Sequence, residues 1–78
     1  MKILFFAHLR DVAGCAEVER NFGAVDAAGL WRQLIAEFPA LEKFRPGVRL
    51  ARNSEYVDPG AQFSDADEVA LIPPVSGG

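Results

Sequence analysis

Only one stretch of this chain carries a sustained helical period, so most of the remainder must be strands and turns. Leu30, Trp31, Leu34, Ile35 and Phe38 fall on the i, i+4, i+8 and i+1, i+5 rows of a helix over Ala27 to Phe38, which gives one broad apolar stripe. Asp26 is placed to cap it, because its carboxylate can accept a bond from a free first-turn amide. Gly29 is expected to weaken the first turn slightly. Pro39 is expected to close the helix by driving its predecessor out of the αR region. A lone amphipathic helix covers one face of a sheet and leaves the other open.

The strands are read from alternation and punctuation. Lys2 to Ala7 puts Ile3, Phe5 and Ala7 on one face and Leu4 and Phe6 on the other, and apolar residues on both faces mark a central strand. His8 to Ala13 fits a short helical turn ended by Gly14. A second strand fits Ala16 to Phe22. Leu41 and Phe44 are expected beneath the helix end, with a turn at Pro46-Gly47. Val48, Leu50 and Ala51 lie on a third strand running toward Asn53. Asn53-Ser54 turns into a short strand, Glu55 to Val57, and Asp58-Pro59-Gly60 turns again. Phe63 stands as an isolated anchor before the last strand, Val69 to Ile72.

This order predicts an α+β roll: a mixed sheet with one main helix on one face and the two most apolar strands, first and last, side by side in the centre. The helical crossover between the second and third strands requires some parallel pairing. Phe6 and Ile72 then share the uncovered face, with Tyr56 nearby, as a partner surface. The competing reading makes Phe6 ordinary core, since a one-residue slip of register exchanges the faces.

Seventy-eight residues bound the chain to one domain, near the size at which a single core is self-sufficient; half of them are hydrophobic. The expected division is a folded body over 1–72 and a flexible tail over 73–78. A net charge of −3 argues against binding a nucleic-acid backbone. The apolar start, Met1 to Ala7, is too short for a signal or membrane segment, and a single cysteine cannot form an internal disulfide. The expectation is a soluble, cytoplasmic protein.

After Ile72 the chain reads Pro73-Pro74-Val75-Ser76-Gly77-Gly78. Two prolines end the strand and forbid a helix. Extended at about 3.1 Å per residue, the residues after Pro73 reach roughly 15 Å, enough to enter another protein's active site. The last two residues have no side chain to obstruct such entry, which leaves the Gly78 carboxylate as the reactive group. A frayed, inert ending is the alternative. Other candidates carry less. Cys15 and His8 have no metal-ligand or triad companion, Asp58, Asp65 and Asp67 lack calcium-loop spacing, and no phosphate-cradling glycine motif exists. No metal site is expected, and any nucleotide must be held by a partner.

Residues 67–78, Asp-Glu-Val-Ala-Leu-Ile-Pro-Pro-Val-Ser-Gly-Gly, resemble the ending of the sulfur-carrier small subunit of molybdopterin synthase, the MoaD type of the ThiS/MoaD ubiquitin-like family. Leu4 to Gly14 resembles that family's first strand and turn, and Ala51 to Val57 its middle segment. The resemblance implies a ubiquitin-like β-grasp fold. It implies that Gly78 is adenylated by an ATP-dependent activating enzyme, converted to a thiocarboxylate by a sulfur donor, and used by the large synthase subunit to load cyclic pyranopterin monophosphate. It implies a heterotetramer of two small and two large subunits. No cofactor is held permanently; AMP and sulfur are carried transiently on Gly78. The chain is then a co-substrate, with Pro73, Pro74, Val75, Ser76 and Gly77 threading the tail. The rival readings are a carrier for another product such as thiamine thiazole, a protein modifier joined through Gly78, and a plain interaction module. One departure is Ala66, where the family commonly has glycine; if that position needs positive φ, alanine strains the turn.

Overall fold

Asp26 begins the long helix as its chemistry requires. Its backbone is extended, and its Oδ1 accepts from the Gly29 amide at 2.8 Å, at the head of the helix Ala27–Glu37. In the computed structural model, which describes residues 1–74, a Cβ at Gly29 would stand 3.1 Å from that Oδ1 and 3.4 Å from the Val25 Cβ. The glycine expected to weaken the first turn therefore makes room for its cap. Phe38, at φ −125° and ψ 78°, leaves the helical region ahead of Pro39. Pro39 then opens a 3-10 segment, Pro39–Gly47, at a first position where a missing amide costs nothing.

In chain order the elements are β1 (Lys2–Phe5), α1 (Leu9–Ala13), β2 (Glu17–Glu19), β3 (Val25–Asp26), α2 (Ala27–Glu37), the 3-10 segment, β4 (Arg49–Arg52), β5 (Glu55–Tyr56), β6 (Gln62–Phe63) and β7 (Glu68–Ile72). Five strands form a sheet in the order β2-β1-β7-β4-β5, while β3 and β6 pair separately. β7 is central. It runs parallel to β1, with Phe5 beside Leu71, and antiparallel to β4, with Leu50 beside Leu71. First and last strands are neighbours, as expected.

The core follows from that register. Ile3, Phe5, Val69 and Leu71 point from the sheet to α2, whose Leu30, Trp31 and Leu34 are buried against them. The Phe5 and Phe38 rings meet edge to face, with centroids 5.4 Å apart. Fully burying each such side chain contributes about 1.5–3 kcal/mol.

Several sequence expectations are corrected. The first strand ends at Phe5, not Ala7. Ala7 is exposed with φ 52°, a left-handed conformation that turns the chain into α1. The second strand is Glu17–Glu19 and does not reach Phe22. Phe63 is not isolated, since β6 pairs with β3 and Phe63 lies opposite Val25. Ala66 is not among the described residues with positive φ, so alanine carries no left-handed strain there. That turn is held by Asp67, whose Oδ2 accepts from the Ser64 amide at 2.8 Å. Asp67 Oδ1 accepts from Asn53 Nδ2 at 3.1 Å, and Asn53 Oδ1 accepts from the Glu68 amide at 2.9 Å.

Two predictions arise here. Asn53 and Ser54 both have positive φ, 50° and 72°, in the two-residue turn between β4 and β5. Such hairpin turns favour glycine at the second position. Ser54→Gly is expected to raise stability by about 1 kcal/mol, the cost of a left-handed residue bearing a Cβ; a denaturant midpoint that stays put or falls would refute this.

The second prediction concerns acid. The Ser64 amide, and then Asn53, hold the Asp67 carboxyl below its ordinary pKa. A carboxylate depressed in the folded state contributes stability above its unfolded pKa of about 3.9, and loses that contribution as pH falls through the lower folded value. Asp67→Ala is therefore expected to melt below the parent at pH 7, with the gap closing as the pH drops below about 4. Melting curves across pH with a constant gap would rule this out.

Candidate functional site

Strand alternation decides what the uncovered face shows. Leu4 pairs with Ala70 across β1 and β7, so the next residues on that face are Phe6 and Ile72. The Phe6 amide still donates to the Leu71 carbonyl at 3.3 Å, which holds Phe6 in line beyond the end of β1. Ala51 of β4 lies opposite both Ala70 and Tyr56, which brings Tyr56 to the same face. Phe6 is 46% and Tyr56 55% exposed, the two large hydrophobic side chains left open among the described residues. Leu4, Ala51, Ala70 and Ile72 lie with them around a depression of about 210 Å³.

Phe6, Tyr56 and Ile72 are thus brought onto one face. The sequence reading put Leu4 on the face of Phe6 but did not name Ala51 and Ala70 there, although the alternation that placed Ile72 also selects Ala70. Small alanines keep the middle of the face low between the two aromatic side chains. The Arg49 guanidinium stacks 3.9 Å from the centre of the Tyr56 ring and fixes its orientation.

The same face leads to the tail. Pro73 is buried and Pro74 exposed, so Pro73 packs with the body and does not project. Gly47 lies against Pro74: a Cβ there would stand 3.4 Å from the proline Cγ. The tail residues Val75, Ser76, Gly77 and Gly78 lie outside the described residues.

The remaining candidates stay apart from this site. His8 is exposed, and its ring lies 5.1 Å from that of Phe44. Cys15 is half-buried, with its thiol 3.9 Å from the Ala13 carbonyl. Among the described residues, no three His, Cys, Asp or Glu side chains are grouped so as to hold a metal ion. None of the helices among the described residues is long and apolar enough to cross a membrane. Arg20 grips Glu37 through both carboxylate oxygens, tying the end of β2 to α2 and holding the Glu37 carboxyl below its ordinary pKa.

A mixed sheet whose C-terminal strand is central, with one helix across one face and an open apolar face on the other, is the ubiquitin-like β-grasp architecture. The chain belongs to the ThiS family, which it matches over residues 3–78. It is 42% identical to the molybdopterin synthase sulfur carrier subunit of Chlamydomonas reinhardtii, over all of this chain and 98% of that protein. It is 38% identical to the subunit of the same name from Arabidopsis thaliana, over all of this chain and 82% of that protein. The crystal structure of SAMP1 from Haloferax volcanii superposes with a TM-score of 0.79 at 32% identity, covering all of this chain and 98% of that one.

Proposed function

We propose that this chain is the sulfur carrier subunit of a molybdopterin synthase. The observation that carries the reading is the end-to-end likeness to carrier subunits of that name. The open apolar face at the root of the tail supports it, because a carrier must dock before its tip can react.

The chemistry begins at Gly78. A terminal carboxylate, with an ordinary pKa of about 3.3–3.7, is ionised at neutral pH and is a poor electrophile. An activating enzyme joins it to AMP from ATP and releases pyrophosphate. Sulfide then displaces AMP and leaves sulfur on the carbonyl carbon. With a persulfide donor the first product is an acyl disulfide, and a thiol of the donor cleaves its S–S bond, becoming a disulfide and releasing the thiocarboxylate. The thiocarboxylate is anionic and nucleophilic, suited to attack cyclic pyranopterin monophosphate in the pocket of the large subunit. Catalytic side chains belong to that partner, and a complex of two small and two large subunits supplies two sulfurs per dithiolene. AMP and sulfur are transient passengers, and the cycle runs in the cytoplasm. Gly77 admits the tip to a narrow channel, and Ser76, Val75 and Pro74 line the approach.

The likeness to SAMP1, small archaeal modifier protein 1, favours a second reading in which Gly78 is joined to lysines. Intact mass measurement after incubation with the activating enzyme, ATP and a sulfur donor separates the two. A carrier gains the difference between sulfur and oxygen on the free chain. A modifier appears as isopeptide conjugates, and an unchanged mass overturns the carrier reading.

A further inference from the structure

Half of the positive charge of this acidic chain is gathered in ten residues. Residues 43–52 contain Lys43, Arg45, Arg49 and Arg52 and no acid, against eight Lys and Arg in all. Arg52 is occupied, since it donates to the Gln62 carbonyl and ties β4 to β6. The other three are close in sequence to the root of the tail, with Arg45 and Arg49 two residues to either side of Gly47 and Lys43 four before it. They lie on the segment that passes Pro74 at Gly47, and Arg49 pairs in register with Ile72.

Their surroundings differ from those of the cations at the other end of the sheet. There the Met1 amino group faces Glu19 and Asp65, and Lys2 faces Glu17 and Glu68. Lys43, Arg45 and Arg49 form no ion pair among the described residues, and each rests on an aromatic ring. Lys43 lies 5.3 Å from the centre of Phe44, Arg45 5.8 Å from Trp31 and Arg49 3.9 Å from Tyr56. A ring face holds a cation in place without neutralising it, so the charge stays available to an incoming anion. Glu42 adjoins them on the 3-10 segment and Asp58 lines the same depression as Arg45 and Arg49, but neither acid forms an ion pair with them among the described residues.

We propose that Lys43, Arg45 and Arg49 form a basic collar around the tail root that steers the chain onto the acidic rim of the protein receiving the tail. The proposal rests on the carrier reading and adds the partner's surface chemistry to it. A chain of net charge −3 is repelled by an acidic partner unless it approaches collar first. The collar therefore orients the encounter so that the tail leads, and Arg49 carries the contact onto the Tyr56 face.

The test is the association rate of the full chain with the large synthase subunit of the same organism, at low and at 0.5 M salt (roughly 4 Å screening length). Arg45→Gln with Arg49→Gln is expected to slow association about tenfold at low salt, in the range by which steering raises rates, and the deficit is expected to vanish at high salt. Arg45→Lys with Arg49→Lys keeps the charge and is expected to restore the rate. Lys2→Gln with Arg32→Gln removes the same charge away from the collar and is expected to change it less than about twofold, as fits steering by a local patch. Equal rates for the collar and control pairs, or a collar deficit that persists at high salt, would overturn the collar and leave the carrier reading intact. No binding by the native chain would overturn the carrier reading, and the collar with it.

Discussion

Gly78→Ala, or deletion of Gly78, is expected to leave the unfolding transition in place while lowering sulfur transfer by about a hundredfold or more, the loss that an ångström of misplacement at a reacting centre can cause. The two effects separate because the groups concerned are separate. Among the described residues the buried sheet positions end at Leu71, with Pro73 packed behind them, so the described core is complete without the last residue of the chain. In the proposed carrier cycle the reacting carbon is the Gly78 carbonyl, and a methyl group beside it would crowd the approach of both the nucleotide and the sulfur nucleophile. Deletion leaves Gly77 as the tip, one residue short of the reacting position. Reconstituted transfer with purified activating enzyme and large subunit, read by intact mass and by product formation, checks this. Transfer at the native rate by either variant would refute the assignment of Gly78.

Phe6→Asp is the second large effect. Phe6 is nearly half exposed, so its replacement removes little from the core, and the melting temperature is expected to shift only slightly. Phe6 stands beside the low middle of the proposed docking face, and an aromatic anchor of such a face typically carries about 2 kcal/mol or more of binding, about thirtyfold in affinity. A carboxylate buried there without a partner costs more still. Titration of the large subunit should show this loss, and the expected order of effect is Phe6→Asp, then Tyr56→Ala, then Ile72→Ala. Native affinity in Phe6→Asp would place the docking face elsewhere.

Long-period features of this fold could be read directly from the residues. The stripe from Leu30 to Phe38 located α2, and apolar residues on both faces of the first and last strands placed them together in the sheet. The alternation of Leu4 and Phe6 against Ile3 and Phe5 separated the two faces, because a strand in a half-covered sheet must put successive side chains on opposite sides, but which face the helix covers was settled only by the register of β1 on β7. What escaped was short or conformationally costly. The β3–β6 pair has two residues on each side, too few to show a period, and Phe63 alone signals only burial. The 3-10 segment carries two prolines, which sequence rules read as stops, whereas Pro39 sits where its missing amide is harmless. Ala7 adopts a left-handed conformation that its residue type does not announce. The cation-to-ring contacts of Lys43, Arg45 and Arg49 join residues separated by anything from one position to fourteen, and only the folded chain reveals the latter kind.

β7 has a hydrogen-bonded neighbour on each side, parallel β1 and antiparallel β4, and it is the strand from which the tail departs. Tension applied to the tip therefore runs along two ladders at once and loads their bonds in shear, where many must yield together. A strand at the margin of the sheet would instead peel away from a single neighbour. A pull on the chain beyond β7 accordingly does not unravel the sheet from the strand that is pulled.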